Sequence, residues 1–171
     1  MSTDIGKIFE KQLEKAFNRL KGTHLLGWHK FADSASAGGA FVQEQPADYL
    51  LAPPPKGEEP AKMLFLEAKA SEKHRRLQKA MLRPAQRGAI HFYGELLGQT
   101  YLVLFWDVEG RRLELWDGIE ALSDRRGKQP GQVWESISVG TKLDIEKVSE
   151  ALAMDLPPAS ETISRYKVLH Q

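Results

Sequence analysis

Asp48, Glu67 and Lys69 are the residues whose types and spacing suggest chemistry. Pro46-Ala47-Asp48 is followed 19 residues later by Glu67-Ala68-Lys69, which rides on the apolar run Met63-Leu64-Phe65-Leu66. Side chains two apart on a strand share a face, so Glu67 and Lys69 are expected to point together, with Asp48 on a neighbouring strand. Two carboxylates and the peptide carbonyl of Ala68 make a hard-oxygen site suited to Mg²⁺, with Mn²⁺ as a substitute. The lysine adds positive charge where a phosphate would lie. Such a set is equipped for metal-assisted hydrolysis of a phosphodiester. The plain alternative is a solvated strand edge with one salt bridge.

Other elements must position these groups. Ile5, Phe9, Leu13, Ala16, Phe17 and Leu20 recur at helical spacing, and Thr3 or Asp4 can cap the helix they define over 4–21. Glu10 lies about 20° beyond Phe17 at the edge of that apolar face, from which it could turn inward to a site. After the lysine come Lys73, Arg75, Arg76, Lys79, Arg83 and Arg87, six positive charges with no acid among residues 73–87. A block of this kind suits a phosphate backbone, although a solvated loop would look the same. Pro84 is placed to open a helix. Gln86 and Arg87 fall in its first turn, and Ala89, Ile90, Tyr93, Leu96 and Leu97 form its apolar stripe.

Gly6-x-x-x-Glu10, Asp48, Glu67-Ala68-Lys69 and the helix from Pro84 together resemble the PD-(D/E)xK nuclease superfamily. Pro-Ala-Asp stands where the pattern has Pro-Asp, so one residue is inserted. Within that superfamily the order is similar to the bacterial, phage and archaeal Holliday-junction resolvases, in which a basic stretch and a glutamine-bearing helix follow the Glu-x-Lys strand. The resemblance runs from about Gly6 to Trp116. It implies an α/β fold with a restriction-endonuclease-like core, a central mixed β-sheet flanked by helices. It implies catalysis by Glu10, Asp48, Glu67 and Lys69, with Mg²⁺ on Asp48, Glu67 and the Ala68 carbonyl, and Glu10 joining directly or through water. It also implies a homodimer that binds four-way DNA junctions and cuts two opposed strands. Lys7, Ser34, Ser36, Lys73, Arg75, Arg76, Lys79, Arg83, Gln86 and Arg87 are the expected DNA contacts. Two alternatives stay open: another nuclease of this fold (a nickase, repair exonuclease or restriction-type enzyme), or a non-catalytic nucleic-acid-binding protein that keeps it.

Composition bounds these readings. A chain of 171 residues fits one domain over 1–171, with a core at about 4–120 and an appendage at about 121–171. The hydrophobic fraction is 42% and the charged fraction 27%, ordinary for a globular protein. No apolar run approaches membrane-spanning length, and Lys7 and Glu10 interrupt any signal-like start. The absence of cysteine removes disulfides and thiolate zinc sites and fits a cytoplasmic protein. A net charge of +1 makes distribution matter more than sum. Lys7, Lys11, Lys15, Arg19 and Lys21 form one further positive set, and Arg125, Arg126 and Lys128 another.

Along the chain, strands are expected at His24 to Phe31, Asp48 to Ala52 and 62–70. A hairpin of 100–107 and 111–116 is expected to turn through Asp107-Val108-Glu109-Gly110. Asp144 to Met154 reads as a short helix with Ile145, Val148, Leu152 and Leu156 on one side. The five histidines show no zinc spacing, and neither a P-loop nor a GxSxG elbow is present. Trp28, Trp106, Trp116 and Trp134 read as core or interface residues. Of Phe92 and Tyr93, helical register sends at least one into packing.

Overall fold

The computed structural model describes residues 4–31, 45–55, 63–123, 137–139 and 143–155. Helix α1 spans Ile5–Gly22. Asp4 caps it by accepting the Lys7 amide at 3.3 Å, one of the first-turn amides that a helix leaves unpaired. Its buried face is Phe9, Leu13, Ala16, Phe17 and Leu20, as the spacing predicts. The helix closes where the Leu25 amide turns back to the Leu20 carbonyl at 2.9 Å. His24 takes a left-handed φ of 58° there. This closure uses residues 23–26, so strand β1 is Gly27–Lys30 and does not begin at His24.

Five more strands follow: β2 Tyr49–Ala52, β3 Leu64–Ser71, β4 Tyr101–Asp107, β5 Arg112–Asp117 and β6 Ile137–Ser138. They form one six-stranded sheet in chain order. All neighbours are antiparallel except β3 and β4, which run parallel. A parallel step needs a crossover over the face of the sheet. The crossover here holds a 3₁₀ turn at Lys79–Met81, helix α2 at Pro84–Ala89 and a π-helical turn at Ile90–Leu96. Pro84 sits at the start of α2, where its missing amide costs no hydrogen bond. The single helix expected from Pro84 is thus two windings in succession.

Two apolar layers result. On one face, α1 and helix α4 (Ile145–Asp155) cover Leu66, Leu104, Trp106 and Leu115. On the other, the crossover and helix α3 (Gly118–Leu122) cover Tyr101, Val103, Phe105 and Trp116. Strand β4 lies between the layers with every residue buried, the pattern of a strand covered on both faces. Burying a large apolar side chain stabilises by about 1.5–3 kcal/mol, so β4 anchors both layers at once.

The architecture is therefore α/β, a mixed sheet flanked by helices. Val148, Ala151 and Leu152 of α4 pack into the α1 layer, so this part of the C-terminal region joins the core. Trp106 and Trp116 are buried and Trp28 half-buried. Ser34, Ser36, Arg125, Arg126, Lys128, Trp134 and Leu156 lie outside the described residues. Among those described, no helix is long and apolar enough to cross a membrane.

Candidate active site

Alternation along β3 decides which face the charged residues take. Leu64, Leu66, Ala68 and Ala70 pack toward α1, while Phe65 packs toward the crossover. Glu67 and Lys69 share the face of Phe65. Tyr49 and Leu51 of β2 pack toward α1, which turns Asp48, just before that strand, the other way. The Asp48 Oδ2 accepts the Ala68 amide at 2.8 Å, fastening the start of β2 to the middle of β3. A strand residue aims its N–H and C=O at the same neighbour, so the Ala68 carbonyl opens to the Asp48 side.

Glu67 is completely buried. Its Oε1 accepts the Lys69 amine at 2.6 Å and the side-chain amide of Gln86. Its Oε2 is buried without a hydrogen-bond partner. Burial, and then the charge of Asp48, push the Glu67 carboxyl up to about 8, against the pull of Lys69. Gln86 is itself buried, and its Oε1 accepts the Arg83 amide at 2.9 Å. The first turn of α2 is thereby tied to β3. Gln86 is accordingly placed within the site and not on the surface as a phosphate contact. Its helical position was legible; its depth was not.

Tyr101 also borders the site, a place that no local pattern in the sequence marks. Phe65 and Tyr101 are partners across the parallel β3–β4 pair. The buried Tyr101 hydroxyl donates to the Pro46 carbonyl at 2.6 Å and so holds the approach to Asp48. Burial, then the charges of Glu67 and Asp48, push its phenol above the usual range.

Glu10 departs from expectation. It sits on α1, across the sheet from Glu67, and its carboxylate is 2.8 Å from the Lys30 amine. Glu14 meets the same amine at 2.7 Å. Burial alone would lower the Lys30 pKa, but the hydrogen bonds and charges of the two acids outweigh it and the pKa is raised. Lys7, also on α1, is exposed and 3.8 Å from Asp4. Of the basic block, Lys73, Arg75, Arg76 and Arg83 are exposed and Lys79 and Arg87 half-buried.

The donors brought together are thus two carboxylates, a carbonyl, an amine and an amide. Among the described residues, no group of three or more His, Cys, Asp or Glu is placed to hold a metal. Two carboxylates with a carbonyl still fit a Mg²⁺ ion, which keeps several of its waters and takes few protein ligands. The unpartnered Glu67 Oε2 and the crowding of two acids are what such a cation would relieve.

No protein-family model matches the sequence, and neither does any curated protein. Among solved structures, the chain is similar to Hjc, a Holliday junction resolvase from the archaeal hyperthermophile Archaeoglobus fulgidus. The identity is 16% and the TM-score 0.43, over 84% of this chain and 99% of that one.

Proposed function

We propose that this chain is a Mg²⁺-dependent DNA endonuclease of the PD-(D/E)xK type, with a restriction-endonuclease-like core, that resolves four-way junctions as a homodimer. The observation that carries the reading is Glu67, a buried acid beside Asp48 with one oxygen held by Lys69 and Gln86 and the other without a partner.

Asp48, Glu67 and the Ala68 carbonyl would hold the cation. When bound, Mg²⁺ supplies Lewis-acid polarisation of the phosphate and a more acidic water. The chain's own residues do the rest. Gln86 fixes Glu67 from below, and Tyr101 fixes Pro46 and so the approach to Asp48. Lys69 lies on the same acid, placed to orient an attacking water or to offset charge on a pentacoordinate phosphate. Lys73, Arg75, Arg76 and Arg83 present exposed cations for the backbone. Two copies related by a dyad would cut two opposed strands and leave nicked duplexes that need only ligation.

One observation favours a wider class, another nuclease of the same fold. The resolvase pattern wants a helix glutamate at the metal, and Glu10 is held by Lys30 instead. The test is purified protein with Mg²⁺ and a panel of four-way, forked, duplex and single-stranded DNA. Paired symmetric incisions in the four-way junction support resolution. Equal degradation of linear duplex supports the wider class, and no cleavage of any substrate contradicts both.

A further inference from the structure

We infer that Asp107 and Arg112 are positioning residues that fix the basic segment 73–76 as a rigid rail for the DNA backbone. The inference rests on the nuclease reading for its ligand, but not for its geometry. Asp107 ends β4 and is fully buried. It is the partner of Ser71, the last residue of β3, and of Arg112, the first of β5. The ends of three strands therefore align where the chain leaves the catalytic strand, two residues beyond Lys69.

The contacts form a chain from core to surface. Asp107 Oδ1 accepts the Gly110 amide at 2.6 Å, and a Cβ at Gly110 would overlap the Asp107 carboxylate. Asp107 Oδ2 accepts Arg112 Nη2 at 3.1 Å, and the same nitrogen donates to the Arg75 carbonyl at 2.8 Å. Nη2 carries two hydrogens, one for each acceptor. Ser71 Oγ accepts the amides of Lys73 at 3.1 Å and His74 at 2.9 Å. The Val108 amide reaches the Ser71 carbonyl at 3.0 Å, and Arg75 pairs with Glu109 at 3.2 Å. The backbone of 71–75 is tied down, while the side chains of Lys73, Arg75 and Arg76 stay exposed. A segment ordered before it meets DNA does not have to be ordered on binding, which preserves affinity and sets the distance from Lys69 to the bound backbone.

Asp107 supplies a test in which two accounts differ in sign. It is an acid beside the proposed DNA path. Simple electrostatics therefore predicts that Asp107→Asn tightens DNA binding, whereas the tether predicts weakening. Arg112→Lys is the second variant. It keeps the charge and can still neutralise Asp107, but its amine ends one bond short of the place where Arg112 Nη2 meets both acceptors. Both are measured against wild type by hydrogen exchange of 73–76 without DNA and by four-way-junction affinity at several salt concentrations. Faster exchange in both variants is expected, with affinity about tenfold weaker, the size of one charge-assisted hydrogen bond lost. The salt slope should stay near that of wild type, because the cations that meet phosphate remain. Unchanged exchange, or Asp107→Asn binding as tightly as wild type or tighter, overturns the rail. If exchange responds as expected but wild-type protein binds no DNA, the tether stands, and the rail's role falls together with the nuclease reading.

Discussion

Two lysine–glutamate clusters flank the same sheet, one on each face. Lys30 meets Glu10 and Glu14 at 2.8 and 2.7 Å, and Lys69 meets Glu67 at 2.6 Å. Distance does not separate them. Exposure does: the Glu10, Glu14 and Lys30 side chains are 33%, 29% and 39% exposed, against 1% for Glu67 and 17% for Lys69. Water screens the first set, where such pairs contribute about 0–1 kcal/mol. The second set is shielded, so burial and then the charge of Asp48 outweigh the pull of Lys69 and move the Glu67 carboxyl up to about 8, with its Oε2 unpartnered. Perturbed acids of this kind concentrate at functional sites.

The comparison breaks most visibly through the buried acids. Glu67→Gln or Asp48→Asn should lower Mg²⁺-dependent cleavage at least about a thousandfold, ~4 kcal/mol of transition-state stabilisation, while DNA binding persists. Single-turnover cleavage beside an affinity measurement checks this, and near wild-type cleavage by either variant removes the assignment. Lys69→Ala should cost about 10²–10³ in rate with little change in affinity, since its contribution falls on charge that develops in the transition state. A loss confined to affinity would make Lys69 a binding residue.

Next in size is a dependence of stability on pH. The Glu67 carboxyl sits at about 8 in the fold and ordinarily at 4.5. Between those values the folded state holds a proton that the unfolded state has released, so this group's contribution to stability falls as pH rises through the window. Below it the group contributes nothing, and above it the loss is complete, several kcal/mol at most at ~1.4 kcal/mol per unit. Metal-free Glu67→Gln should therefore melt progressively higher than wild type from pH 5 to pH 8, by about 2–4 °C per kcal/mol at this chain length. A constant difference across that range would mean that Glu67 is ionised throughout. Smallest is Glu10→Gln, expected to change cleavage less than about tenfold and stability by no more than about 1 kcal/mol. A loss matching that of Glu67→Gln would show that Glu10 joins the metal site when DNA is bound.

The unequal legibility of these regions has a physical cause. Asp48, Glu67 and Lys69 could be placed together because strand alternation has a period of two, and one apolar run fixes its phase. The face of α1 and the turn between β4 and β5 follow from equally local rules. Glu10 could be placed only by angle around a helix, and angle does not give depth or name the cation across the gap; Lys30 comes from a strand 20 residues on. Gln86, Tyr101 and the Asp107–Arg112 pair owe their roles to contacts between elements remote in sequence, which no local period encodes. Helix α3 has five residues and β6 two, too few for a repeat to show.

Calorimetric titration of Mg²⁺ into wild type, Glu67→Gln and Glu10→Gln addresses the difference between the two clusters without depending on any choice of DNA. Wild type and Glu10→Gln should bind the ion alike, and Glu67→Gln should not. Mg²⁺ binding that survives Glu67→Gln, or is lost only in Glu10→Gln, would contradict the assignment of the ion to Asp48 and Glu67.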